Sequence, residues 1–272
     1  MTWLSLPASA ISARREQAIL LAAAGVALTL AWWLMARAGE PHAWLTLLRP
    51  SALVWDLASW GAAVVVWQAM MIATMLPALM PWILTLAALG PEQGWSEGVG
   101  SSWRNHGSIG RVTTFVAGYF SVWLAYSVVA AGIQAMLLSS GAGLGHRPEL
   151  MGSGGAPSVI GGAVLVVAGV FQFSAVKRSC LTHCRSPLAF FLARWNDGPM
   201  SGFRLGLAHG AYCVGCCWAL MALGFALGAM NLLWMAALAL VVAAEQLLPG
   251  GERFGRWVGV PLMVWGARLV MG

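Results

Sequence analysis

Cys180, Cys184, Cys213, Cys216 and Cys217 are the only cysteines of the chain, and His183 and His209 lie among them. Thiolate and imidazole are ligand types for soft and borderline transition metals. Three uses compete for such a window: a metal site, a thiol redox pair, or small side chains where helices cross. Cys180, His183 and Cys184 are spaced i, i+3, i+4 and share one face if the segment is helical. Two thiols and an imidazole so placed suit Zn(II) or Cu(I). Neighbouring Lys177, Arg178 and Arg185 favour the thiolate form, and Pro187 biases the chain out of helix at Ser186. The plain alternative is a basic loop with incidental cysteines.

The second half of the window lies in a long apolar run. At about 100° per residue, with His209 at zero, Cys213 falls near 40°, Cys216 near −20° and Cys217 near 80°. Gly202, Gly206, Gly210, Gly224 and Gly228 fall on that same side, whereas Tyr212 and Trp218 point elsewhere. Such a face lets a neighbouring backbone come close. The cysteines could therefore be small buried apolar residues and nothing more. His209 tips the balance towards a site, because a histidine inside a membrane span is costly and usually functional. Redox catalysis is the weakest of the three uses. Cys180 and Cys184 form CxxxC rather than CxxC, and cytoplasmic glutathione keeps such thiols reduced.

Thioethers add to the donor set. Met70, Met71, Met75 and Met80 stand ahead of and between Pro77 and Pro81, and Met221, Met230 and Met235 lie further on. Methionine is a Cu(I) ligand type, but it also fills irregular gaps near helix kinks. Met70 and Met71 are expected at about the depth of Cys213.

The elements that position these residues follow from composition. Sixty per cent of the residues are hydrophobic and only 9% charged, against about a quarter charged in a soluble domain. A soluble core of this length cannot hide that much apolar surface. The chain therefore reads as all-α, a single integral membrane domain over residues 1–272: a polytopic transmembrane bundle of six or seven spans of about 20 residues each. The runs are Ala18–Ala36, Leu53–Leu89 (a proline-kinked helix from about Trp60, with Asp56 at the interface), Val112–Leu138, Pro157–Val176, and Phe203–Leu248, which splits near Gly228. Trp257–Val270 is short and reads as a thin seventh span or a re-entrant segment. Arg14 and Arg15 before the first run resemble a signal peptide, yet the run exceeds an h-region and is expected to be retained.

Orientation follows the basic residues. With the N-terminus cytoplasmic, Arg14, Arg15, Arg104, Arg111, Lys177, Arg178, Arg185, Arg194, Arg204, Arg253 and Arg256 lie inside, and Arg37, Arg49, Arg147 and Arg268 outside. That bias puts the Lys177–Arg204 loop, with Cys180 and Cys184, at a cytoplasmic mouth. The net charge of +6 faces anionic lipid and needs no nucleic acid. Trp32, Trp33, Trp82, Trp103 and Trp257 fall at span ends, as an aromatic belt would. Asp56 and Glu245 are expected at interfaces, and Gln68, Gln134, Gln172 and Asn231 are expected to bond between helices. The Gly/Ser-rich stretch Ser139–Ala156 has no phosphate-binding pattern, and neither GxxxxGK[ST] nor GxGxxG after a strand occurs. Pumping driven by ATP on this chain alone is therefore not expected.

The strings CLTHCRSPLAFFLARW from Cys180 and GFRLGLAHGAYCVGCCWALMALGFALGAMNLLWMAALALVVAAEQLLPGG, with WQAMMIATMLPALMP and GYFSVWLAYS earlier, resemble bacterial proteins of the domain-of-unknown-function 2182 family. The resemblance runs from the second helix onward. It implies a metal-binding protein of the bacterial inner membrane with Cys180, Cys184, His209, Cys213, Cys216, Cys217 and Met221 at characteristic positions, joined by Met70, Met71 and Met75. It also implies a small soluble partner encoded nearby. Glu245–Gln246 depart from the acidic–basic pair expected there.

The function expected is the binding of a soft transition metal, copper foremost and zinc second, for handling or transfer. The ligand set is drawn from Cys180, His183, Cys184, His209, Cys213, Cys216, Cys217, Met70, Met71, Met75 and Met221. A metal-dependent membrane oxidoreductase, or a subunit of one, is a second reading. It needs an open coordination position and usually more nitrogen ligands than this chain offers, since His42, His106 and His146, three of its five histidines, lie in other loops. A third is a metal-free scaffold for a partner protein. Lipid contact follows from composition, and homo-oligomerisation stays open.

Overall fold

Asp56, Ser174 and Asn231 each start a helix, because a side-chain oxygen held outside the first turn satisfies an amide that has no partner within the helix. Asp56 accepts from the Ser59 amide at 2.8 Å, Ser174 from Lys177 at 3.1 Å, and Asn231 from Leu233 and Trp234 at 3.2 and 3.4 Å. The computed structural model describes residues 8–39, 56–89, 107–139, 159–194, 200–227 and 231–271. Among the described residues the structure is all-helical: α1 Ala8–Gly39, α2 Leu57–Ala88, α3 Gly107–Ser139, α4 Val159–Phe171, α5 Ala175–Cys184, α6 Pro187–Arg194, α7 Ser201–Leu227, α8 Leu232–Leu247 and α9 Gly251–Met271. Asn231 is thus a cap, not the inter-helix bridge expected of it. Gln134 does bridge, accepting from the Trp67 indole at 2.7 Å, and Gln68 accepts from Ser127 at 3.1 Å.

Among the described residues four helices are long and apolar enough to cross a membrane: Arg15–Ala38, Leu57–Ala88, Ile109–Leu137 and Ser201–Leu227. A fifth span results if α4 and α5, bent by 67° at their junction, are taken together. The six or seven spans expected from the sequence are not reached by this measure. The difference lies in α8, only 16 residues long, and in α9, which carries Glu252, Arg253, Arg256 and Arg268. The run read as Trp257–Val270 belongs to this longer helix. The division of Phe203–Leu248 stands, with α7 ending at Leu227 and α8 beginning at Leu232. The expected Gly/Ser-rich loop falls, beyond Ser139, outside the described residues, as does Trp103.

Position in the bundle follows from apolar distribution. The core side of α2 presents Trp67, Met70, Met71, Met75, Leu79, Trp82 and Leu86, all buried, and Pro77 and Pro81 lie inside the helix without ending it. By contrast α1 shows lipid-type surface, with Leu21, Val26, Leu30 and Trp33 exposed, and α8 does the same with Leu233 and Leu240. The glycine face read from the sequence is where α7 crosses α3. A Cβ on Gly206 would strike the Phe115 carbonyl, and one on Gly118 would strike the Phe203 carbonyl. Only hydrogen at those positions lets the two backbones approach so closely. A second glycine seam joins α4 to α9, Gly162 with Gly266 and Gly169 with Gly259.

Three expectations change here. The segment Lys177–Arg204, read as a cytoplasmic loop, is largely α5 and α6. Lys177 and Glu245, assigned to loop and interface, are buried and joined at 2.6 Å. Trp82 is not in an aromatic belt: it is buried in the core, while Trp33 and Trp257 are exposed. Hydropathy could not distinguish these, because a broken helix carries polar residues inward just where a loop would carry them outward.

Gly206→Val should cost about 1–3 kcal/mol through forced separation of α3 and α7, lowering the thermal midpoint in detergent. Gly61→Ala, where a Cβ meets nothing within 4 Å, should leave that midpoint unchanged or slightly raised.

Candidate metal centre

The break between α4 and α5 aims the end of α5 at the middle of α7. Irregular backbone at membrane depth is tolerated where protein surrounds it, and Ser174 caps the new helix as it turns. Cys184, the last residue of α5, thereby meets Cys213, Cys216 and Cys217. Its sulfur lies 3.9 Å from that of Cys216, and Cys216 Sγ lies 3.2 Å from Cys217 Sγ. The sulfurs of Cys184, Cys213 and Cys216 all lie within 4.8 Å of one another and are buried. All five thiols are free.

The surroundings of this cluster come from three further helices. From α2, Met75 brings its thioether to 3.9 Å from Cys213 Sγ. From α3, the Tyr119 hydroxyl lies 3.0 Å from the same sulfur. From α8, the Gln246 amide donates to Cys213 at 3.6 Å and to Cys217 at 3.5 Å. Cys216 Sγ lies 3.2 Å from the Cys213 carbonyl. The Trp82 indole N–H donates to the Cys184 carbonyl at 3.2 Å, fixing the C-terminal end of α5.

His209 sits one turn before Cys213 in an aromatic box. Its ring stacks on Trp82 with centroids 3.6 Å apart, and Tyr119, Phe115 and Phe190 surround it. Its Nδ1 is buried with no hydrogen-bond partner. The remaining predicted ligands are placed apart from the thiols. Cys180 is half-buried, and its sulfur packs where a side chain on Gly215 would stand. His183 is exposed, stacks on Tyr212 at 4.4 Å, and holds the Ser179 carbonyl through Nδ1 at 2.8 Å. The i, i+3, i+4 group therefore does not act as one face: of the three, Cys184 alone joins the sulfur cluster. Met70, Met71 and Met221 are fully buried along the α2–α7 seam, where Thr74 Oγ1 lies 3.6 Å from Met221 Sδ.

Sequence reasoning passed over Tyr119, Gln246, Trp82 and the Lys177–Glu245 pair as parts of this centre. The signal available for Gln246 was a polar side chain inside an apolar helix, which marks function by default. Lys177 and Glu245, paired at 2.6 Å with both side chains buried, tie α5 to α8 beside the thiols.

The donor set can be tested against a metal. A tetrahedral ion bound at about 2.3 Å from each sulfur separates the sulfurs by about 3.8 Å. Sulfurs within 4.8 Å of one another need a contraction of about an ångström or less to reach that spacing, within the range of a rotamer adjustment. The residues fit a thiophilic ion.

Helices apolar enough for a membrane, closing on a buried thiol group able to hold an ion, define the class of helical membrane proteins that handle soft metals. Within that class the chain belongs to the PpoB2 copper chaperone family, whose model matches residues 64–269. The matched stretch contains every residue of the sulfur cluster and its surroundings. Searches of curated proteins and of solved structures returned no match.

Lys177→Met should cost about 3–5 kcal/mol by leaving the Glu245 carboxylate buried and alone. The double change Lys177→Met with Glu245→Leu should recover most of that loss, as read from thermal midpoints of the purified protein.

Proposed function

We propose that this chain captures Cu(I) within the bacterial inner membrane, its N-terminus cytoplasmic, and passes the ion to an acceptor. The ligands are Cys184, Cys213 and Cys216, with Cys217 and the Met75 thioether in reserve. The observation that carries this reading is the buried meeting of three thiols from two separate helices. Such a meeting is not needed for packing, since any small side chain would fill the space.

Copper is favoured over zinc by the donors. Thiolate alone serves zinc as well as Cu(I), but the structural zinc sets are four thiolate or imidazole ligands, and the thioether of Met75 beside three thiols is a Cu(I) donor. His209 is held flat against Trp82 and stands beside the thiols without joining their group. It supports the site by filling the box behind Cys213. The Tyr119 hydroxyl and the Gln246 amide direct hydrogen bonds at sulfur, which stabilises negative charge there and orients Cys213 and Cys217. These donors do in the apolar interior what water would do outside it.

Handover follows from the same arrangement. A two-coordinate or three-coordinate Cu(I) exchanges thiol ligands one at a time, and four thiols plus a thioether give it more donors than it needs. Binding displaces thiol protons, so affinity rises with pH. The acceptor is a small soluble protein encoded nearby. An oxidoreductase reading is disfavoured because the group is thiol-rich and enclosed, whereas a catalytic metal keeps an open position.

Anaerobic purification with copper present should yield about one copper per chain, with an X-ray absorption spectrum of sulfur neighbours near 2.3 Å. Changing Cys213, Cys216 and Cys217 together to serine should abolish the copper, while Cys180→Ser retains it. Copper held undiminished by the triple variant would sink the assignment.

A further inference from the structure

The thiol cluster is not the end of the sulfur in this molecule. On α7, Cys213, Cys217 and Met221 recur every four residues and so share one face, and Gly224 continues it. All four are buried. On the facing side of α2, Met75, Met71 and Met70 are buried too, with Thr74 between them. The two helices run antiparallel and meet through long side chains: Met75 sulfur lies near Cys213, Thr74 lies 3.6 Å from Met221 sulfur, and Met70 sulfur lies beside Gly224. At about 1.5 Å per residue, Met221 stands about 12 Å along the axis from Cys213, with Cys217 halfway.

We propose that Met70, Met71 and Met221 form a second, thioether-only Cu(I) station, making the α2–α7 seam a route for the ion through the apolar layer. The inference rests on the thiol cluster being a Cu(I) site. Methionines in a core ordinarily fill gaps, and three features of this seam go beyond filling. Buried thioethers follow the thiols along both facing helices. Met70, Met71, Met75, Cys213, Cys217 and Met221 are each fully buried, so the line is closed to lipid along its length. A buried threonine hydroxyl, already donating to the Met70 carbonyl at 2.8 Å, turns its oxygen towards Met221. Beyond Met70 the polar groups reappear, with Trp67 bonded to Gln134 and Ser127 to Gln68.

The chemistry sets the order of the two stations. The ion moves as Cu(I) throughout, with no change of oxidation state, by exchanging one sulfur for the next. Thiolates carry charge and hold it tightly; thioethers are neutral and hold it less. A second site that binds weakly is what passage requires, since an ion must be able to leave as well as enter. Steps of about 6 Å between Cys213, Cys217 and Met221 keep successive donors within reach of a side-chain swing.

The test uses full-length protein with selenium in place of methionine sulfur, titrated with Cu(I) beyond the first equivalent. A copper–selenium contribution should grow with the second equivalent. It should fail to grow when Met70, Met71 and Met221 are changed to leucine, a volume-conserving exchange, while the first equivalent binds as before. In proteoliposomes with a Cu(I) chelator inside, that triple variant should pass copper at least about tenfold more slowly, a barrier difference of about 1.4 kcal/mol. The Met71→Leu protein serves as a milder variant if the triple one folds poorly. Equal passage by variant and wild type, or no passage by wild-type protein that holds its first copper, would overturn the route and leave the thiol site standing. A protein that binds no first equivalent would bring down both.

Discussion

A lysine ammonium and a glutamate carboxylate 2.6 Å apart, both shut away from solvent, set the geometry on which the centre depends. Lys177 lies in the first turn of α5 and Glu245 in the last turn of α8, so the pair fixes the start of one helix against the end of another. From that fixed point α5 runs towards α7 and delivers Cys184 to Cys216. From the same point the next residue of α8, Gln246, reaches Cys213 and Cys217. Burying two charges gives little net stability, so their value lies in placement. An apolar contact would let α5 slide or rotate; a short ion pair does not. A further tie runs from the other end of α5, where the Arg185 guanidinium donates to the Leu248 carbonyl.

The rest of the bundle closes round that frame by two means. Glycines on α7 and α3 bring two backbones together, which draws Tyr119 close enough for its hydroxyl to touch Cys213. Large side chains do the opposite work on the other flank. Trp82 and Phe115 lie stacked with His209, while Phe190 and Phe191 pack edge to face against Trp82, and together they seal the centre from that side. The thiols therefore sit between a narrow glycine crossing and a wide aromatic plug. Sulfur fills the intermediate space that neither could fill alone.

Much of α7 was legible beforehand because one straight helix obeys one period. The common face of Cys213, Cys217 and the glycines follows from counting; the depth match does not, since Met70 and Met71 are expected level with Cys213 and it is Met75 that meets it. The choice among Cys180, His183 and Cys184 was not legible. Spacing says that the three can share a face; a 67° bend and an ion pair decide which of them points inward, and neither leaves a local trace. Lys177 misled for a related reason. A single lysine between apolar runs has the same appearance whether it meets water or a carboxylate 68 residues further along the chain. Trp82 was misread because tryptophan near the end of a run suits an interface and a core equally well.

The centre is also discontinuous in sequence, and that has a consequence for the time before folding is complete. A chain emerging from its N-terminus presents Met75 and Tyr119 first, then Cys184, then the thiols of α7, and only at the last Glu245 and Gln246. Until α8 is in place Lys177 has no counter-charge, α5 has no fixed direction, and the thiols are held by separate segments. The parts that fix the geometry of the centre are thus the last to be made, and the thiols take up their final arrangement only when α8 joins the bundle.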